Sequence, residues 1–149
     1  MPTLKFSKNI RRMGRQFENS SSRLVRATAK ATLKSLVMST KVDKGVARSN
    51  WRVGVGGPTT STIKAYSPYP KGSKANGQGM GERANASAAI AAGNAKINSL
   101  VGISGVGLKT SLYISNNLPY INKALVSGGL ETSVLSARNV ISGFRIFRN

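Results

Sequence analysis

Apolar and polar positions repeat with two different periods along this chain, and the period changes near residue 50. Over residues 7–42 the apolar positions follow the period of a helix, about 100° per residue. They lie within roughly 60° of one direction and comprise Ile10, Met13, Phe17, Leu24, Thr28, Ala31 and Val42. We predict one long helix over 7–42, with Ser7 as its N-cap and this apolar stripe packed in the core. Leu33, Leu36 and Val37 lie off the stripe, which indicates that the last turns are covered on more sides.

The opposite side of the predicted helix is basic. Its candidate partner-facing or DNA-facing residues are Arg11, Arg12, Arg15, Arg23, Arg26, Lys30 and Lys34. Three uses remain open for this basic face: a solvated surface, the lining of a channel that carries DNA, or a docking site for an acidic protein. A membrane-surface helix is disfavoured, because the apolar stripe has Phe17 as its one aromatic residue and includes Thr28 and Ala31.

The period becomes that of a strand at Trp51. Apolar side chains at 51, 53 and 55 alternate with polar or small ones, which predicts a half-buried strand over 51–55. Asp43 and Gly45 supply turn chemistry ahead of this strand. The pattern therefore places Trp51, the single tryptophan, at the joint between the first helix and the sheet, where we expect it to be mostly buried.

A long connection follows over 56–81, rich in glycine and proline. Connections longer than ~15 residues are uncommon in compact domains and are usually functional or disordered. Little apolar surface offsets the cost of ordering this one, so we expect it to be mobile in an isolated subunit. The candidate inter-subunit anchors in it are Tyr66, Tyr69, Lys71 and Lys74.

The remaining pattern predicts a helix over 82–100, a strand over 108–115, a short helix over 119–127 and a C-terminal helix over 132–147. A shorter strand is predicted through Val101 and Ile103. The helix over 82–100 has a small-residue face at Ala84, Ala88, Ala91, Ala92 and Ala95, which predicts close packing on more than one side. The C-terminal helix has Val134, Ala137, Ile141 and Phe144 on one side, with Thr132 or Ser133 as its cap. The fold class is therefore α+β, with a long N-terminal basic amphipathic helix and an alanine-rich helix packed on a small, mainly antiparallel sheet.

Composition narrows the function classes. The 149 residues contain 23 Lys+Arg against 4 Asp+Glu, with no His and no Cys, and predict a single domain over 1–149. Acid–base catalysis, nucleophilic catalysis and metal binding usually draw on the residue types that are scarce here. We therefore expect no enzyme activity, no metal and no cofactor. The net charge of +19 favours contact with nucleic acid, anionic lipid or an acidic protein.

Two stretches carry motifs, residues 42–58 and residues 112–121. The first includes Asp43, Gly45, Ala47, Arg48, Asn50, Trp51 and Val53, and the second ends in Asn116, Asn117, Pro119 and Tyr120. In their order and spacing they resemble the neck or tail-completion proteins of tailed bacteriophages. In that family the second motif is a strand end followed by a short helix. The resemblance implies a structural joint made of Asp43, Gly45, Trp51, Asn116, Pro119 and Tyr120.

The resemblance implies a structural virion protein, made in the host bacterial cytoplasm and placed at the head–tail interface or in the tail. Such proteins form homo-oligomeric rings, commonly sixfold or twelvefold, and contact head-completion, portal-side or tail proteins. Non-specific contact with packaged DNA is a candidate role of the basic face, and no membrane is involved. The alternative is a free basic nucleic-acid-binding protein, supported by the charge. Against it, recognised binding motifs are missing and aromatic residues are not interleaved with the basic ones.

Overall fold

The computed structural model describes residues 2–41, 45–68, 80–99 and 111–143. Along these residues the helices and strands are α1 (Pro2–Met38), α2 (Val46–Ser49), β1 (Arg52–Val55), α3 (Met80–Asn98), β2 (Leu112–Ser115), α4 (Ile121–Ala124) and α5 (Gly129–Gly143). The α+β class expected from the sequence is confirmed. The strand expected through Val101 and Ile103, and the expected elements over 108–110 and 144–147, lie outside the described residues.

Among the described residues, the sheet is an antiparallel pair of strands in which Val53 lies opposite Ile114 and Gly54 lies opposite Tyr113. Glycine is needed at 54 because a Cβ there would overlap the carbonyl oxygen of Gly57, where the chain folds back over the strand. Gly56 has φ 76°, a conformation that side chains rarely adopt, and it ends the strand. The strand predicted over 51–55 is thus confirmed to within one residue.

The buried core lies between the C-terminal half of α1, the sheet and α3. It contains Ala29, Leu33, Leu36 and Val37 of α1, Trp51 and Val53, and Ala86, Ala89 and Ile97 of α3. Residues that lay off the predicted apolar stripe of α1 therefore form its core side. A helical period shows which residues share a side, but it does not show which side meets the sheet.

The expectation that Ile10 and Met13 are core residues is wrong, because each is more than half exposed. Among the α1 residues whose side chains the structure describes, the first buried one is Ala29, so residues 10–16 of the helix extend past the body that covers its second half. Leu24, Thr28 and Ala31, further along the predicted stripe, are half-buried.

Helix α1 ends at Met38, four residues earlier than predicted, and the backbone that follows it pairs with a distant part of the chain. The hydroxyl of Thr40 donates to the carbonyl oxygen of Leu36 at 2.7 Å. The next backbone groups pair with the end of α4 and the residue after it: Lys41 N–H donates to the carbonyl oxygen of Ala124 at 2.7 Å, and Thr40 forms a β-bridge with Leu125. The same bridge limits α4 to Ile121–Ala124, within the helix predicted over 119–127.

Helix α3 buries a different face from the predicted one. Its buried positions are Asn85, Ala86, Ala89, Gly93 and Ile97. The alanines at 84, 91, 92 and 95 are exposed, so the expectation of burial on more than one side is wrong. Gly93 sets the approach of α3 to α1, because a Cβ there would overlap the Leu33 side chain.

Helix α5 begins at Gly129, three residues earlier than predicted, directly after Gly128 with φ 74°. The hydroxyls of Thr132 and Ser133 bond to carbonyl oxygens four residues back, at 2.8 Å each, so they are interior helix residues and not caps. The helix runs antiparallel to α1, since Gly129 lies against Ser39 and the hydroxyls of Ser133 and Ser35 are 3.1 Å apart.

Candidate functional site

The first motif builds a buried polar joint between the end of α1 and the start of β1. Trp51 is 8% exposed, which confirms its predicted burial, and its indole N–H donates to the hydroxyl of Thr40 at 2.8 Å. The buried Arg48 donates from Nε to the carbonyl oxygen of Thr40, also at 2.8 Å. The end of α1 is therefore fastened to the start of β1 through one threonine.

Gly45 and Ser49 form the second part of this joint. Gly45 has φ 79°, and a Cβ there would overlap the side-chain amide of Asn85. The hydroxyl of Ser49 lies 2.9 Å from the carbonyl oxygen of Gly45 and 3.0 Å from Asn85 Oδ1. Ser49 also accepts a hydrogen bond from the N–H of Tyr66 at 3.2 Å. The turn glycine is thus required by a contact with α3 as well as by its own backbone. Asp43, which the sequence placed in the same joint, lies outside the described residues.

The two motifs meet in space. Asn116 Nδ2, at the end of β2, donates to the carbonyl oxygen of Ala47 in α2 at 2.8 Å. Its Oδ1 accepts from the N–H of Leu118 at 3.3 Å, which shapes the turn that follows. Pro119 lies in that turn, and not in the first turn of a helix as predicted, because α4 begins at Ile121. Tyr120 is exposed beside it.

The first part of the long connection is held by two asparagine side chains. Asn50 donates to the carbonyl oxygen of Ile63 and accepts from its N–H, at 2.8 Å each. Asn85 does the same with Ser67, at 2.7 and 2.8 Å. Each side-chain amide therefore pairs with both backbone polar groups of one residue, as a neighbouring strand would.

These bonds contradict the expected mobility of the connection over residues 56–68, because that part is fastened to its own chain. Tyr66 is exposed there, while Tyr69, Lys71 and Lys74 lie outside the described residues. Sequence reasoning missed Asn85, whose partners lie 18 and 36 residues away. The sequence did contain a signal: Asn85 is a polar residue on the side of α3 that otherwise carries apolar residues and faces the core.

The exposed apolar side chains of the described residues include two groups that each share one side of a helix. The first, the α1 tip, consists of Ile10 and Met13. The second, the α5 stripe, consists of Leu130, Val134 and Ile141, which lie within roughly 40° of one another around α5. All are more than half exposed. Helix α5 turns small residues toward α1, including the buried Gly129 and Ser133, so its bulky side chains point outward.

The predicted basic face is for the most part exposed. Arg11, Arg12, Arg15, Arg23 and Lys34 are exposed, and Arg26 and Lys30 are half-buried. Arg26 turns back along the helix, with Nε 3.3 Å from the carbonyl oxygen of Ser22. The first half of α1 therefore presents both a basic side and an apolar side to solvent.

Within the described ranges, no group of His, Cys, Asp and Glu could hold a metal ion. Glu18 and Glu131, both exposed, lie on different helices. Among the helices of the described part of the chain, none combines the length and the apolar character needed to cross a membrane. Comparison of the chain with protein-family models, with curated proteins and with solved structures found no match.

Proposed function

We propose that this protein is a structural subunit of a tailed-phage virion, a neck or tail-completion component that joins head-side proteins to the tail. The observation that supports this proposal most is the pair of uncovered apolar surfaces, the α1 tip and the α5 stripe. Clustered exposed apolar side chains mark contact surfaces more often than scattered ones do. A chain that leaves clustered apolar side chains exposed suits a role in an assembly, where a neighbouring subunit covers them.

The two surfaces are unlike one another, which suits a ring. Head-to-tail contacts need two different complementary patches on each subunit, and they close into rings when the rotation between neighbours allows. Here the α5 stripe of one subunit packs against the α1 tip of the next.

The position of the α1 tip around its helix favours a helical partner. Ile10 and Met13 lie within roughly 40° of Ser35 around α1, on the side that α5 covers further along the same helix. The uncovered stretch thus continues a helix–helix contact that the chain already makes, and in the ring a neighbour's α5 extends it.

Each interface of this kind is modest. Burying what remains exposed of one Leu, Val or Ile is worth on the order of 1 kcal/mol, and association itself costs several times that. A closed ring offsets the weakness, because each subunit makes two such contacts.

The resemblance of the two motifs to neck and tail-completion proteins gives the proposal its class, and their direct contact through Asn116 and Ala47 is consistent with one structural unit. The polar joint of Gly45, Ser49, Asn85 and Trp51 is its scaffold, with hydrogen-bonded side chains and no exposed reactive group. Catalysis has no part in the proposed role.

The test is the location of the chain. Tailed particles are purified from a bacterium that carries the gene and are labelled with antibodies against the chain. Electron microscopy then locates the label on the particles. We expect label at the junction of head and tail, in an amount that fits a sixfold or twelvefold ring. Particles that lack the chain, together with a free pool bound to nucleic acid, would favour the alternative of a free nucleic-acid-binding protein.

A further inference from the structure

One line along α1 carries cations and hydrogen-bond donors, and it runs beside the side of the helix that packs in the core. Arg12, Arg23, Lys30 and Lys34 fall within roughly 40° of one direction around the helix. All are exposed except Lys30, which is half-buried. We call these four residues the cationic row.

The row differs from the basic face predicted from the sequence. Arg26 lies closer to the core side and turns to the carbonyl oxygen of Ser22. Arg11 and Arg15 project toward the side that is buried further along α1, so they do not share the line. The cationic row can be distinguished from the predicted basic face only when the structure shows which side of α1 is buried.

The gap in the row between Arg12 and Arg23 is polar. Gln16 and Asn19, both exposed, lie on the same side between Arg12 and Arg23, and amide side chains are common donors to phosphate oxygens. Glu18, the acidic residue of α1, lies about 130° away around the helix. Within α1, the line therefore carries positive charge and donors with no carboxylate on the same side.

We propose that the cationic row binds the phosphate backbone of duplex nucleic acid, with α1 lying along the duplex. The row spans 22 residues of helix, about 33 Å, close to the ~34 Å of one turn of B-DNA. No aromatic side chain interrupts it between Arg12 and Lys34 on that side, so it offers no stacking platform for single strands. This site does not depend on the proposed virion role, since its residues are separate from the α1 tip and the α5 stripe.

The test compares two variants that lose the same charge. In the row variant, Arg12, Arg23, Lys30 and Lys34 are replaced by Gln. In the matched control, exposed cations elsewhere are replaced by Gln, namely Lys64, Lys96, Lys123 and Arg138. Glutamine is a good helix former, and surface changes of this kind usually leave the fold intact. Circular dichroism and thermal melting of both variants check this.

Binding of a 30-base-pair duplex is measured by fluorescence anisotropy from 50 to 300 mM salt. Neutralising about four phosphates contributes roughly −3.6 to the slope of log K against log salt. We expect the row variant to lose about 3 from this slope and at least tenfold in affinity at 100 mM salt, and the control to lose less than threefold.

Three results would overturn the proposal. Equal losses in both variants would show that net charge alone attracts the duplex. A slope that the row variant does not change would place phosphate contacts elsewhere. Binding of polyglutamate through the row, with no measurable duplex affinity, would assign it to an acidic protein. None of these results bears on assembly through the apolar surfaces, so the two proposals fail separately.

Discussion

At the scale of single residues, Trp51 combines packing with one hydrogen bond, and two substitutions separate them. Trp51→Ala removes a large buried side chain and should cost about 3–5 kcal/mol in unfolding free energy. Trp51→Phe keeps much of the volume and removes the N–H that donates to Thr40, so it should cost about 1 kcal/mol beyond the lost volume. Urea denaturation measures both. An alanine variant as stable as the parent would contradict the burial of Trp51.

Asn85 tests whether the polar joint stabilises the chain. Asn85→Ala leaves the N–H and carbonyl of Ser67 and the hydroxyl of Ser49 without their partner, and should cost about 2 kcal/mol or more. Asn94 on the same helix is the matched control. Its Oδ1 is buried with no partner among the described residues, so Asn94→Ala should change stability by no more than about 0.5 kcal/mol, or increase it, because alanine favours helices. If both substitutions lowered the free energy of unfolding equally, the idea that the polar joint stabilises the chain would be contradicted.

At the scale of elements, the segment over 59–68 is the clearest departure from the sequence-based expectation. The N–H groups of Ile63 and Ser67 donate to Asn50 and Asn85, so amide exchange in the isolated chain should be slowed at both. In Asn85→Ala the protection at Ser67 should be lost while that at Ile63 remains, because Asn50 still holds it. Fast exchange at Ile63 in the parent chain would restore the view that this segment orders only on assembly.

The local periods of the sequence predicted which helices and strands form, but not which of their sides are buried. The strand at Trp51 and the long first helix follow from local periods, and both were found. The helix begins at Pro2, however, so the N-cap predicted at Ser7 is wrong. The core side of α1 did not follow, because Ile10 and Leu33 look equally apolar and only the packing of α3 shows which is covered. The anchoring of the connection was hidden for a similar reason, since Asn50 and Asn85 act on backbone groups far away in sequence.

At the scale of the whole molecule, the charge of +19 and the uncovered apolar surfaces have opposite effects on self-association. Like-charged subunits repel one another, and salt screens that repulsion. Self-association through apolar surfaces should therefore strengthen between 50 and 500 mM salt. The proposed duplex binding should weaken over the same range, so the sign of the salt dependence distinguishes the two proposed activities.

The α5 stripe is the surface that we propose as a contact between copies of this chain, and helix α5 offers both a test substitution and its control. Val134, in the stripe, is 53% exposed, and Leu135, about 100° further around α5, is 55% exposed. Replacing either with Ser removes a similarly exposed apolar side chain. The two variants therefore differ mainly in the side of the helix that they change.

The measurement is the molar mass in solution by light scattering after size exclusion, at high protein concentration and 300 mM salt. We predict a closed oligomer for the parent chain and for Leu135→Ser, and a monomer near 15.7 kDa for Val134→Ser. A monomeric parent chain, or an oligomer that Val134→Ser leaves unchanged, would contradict the claim.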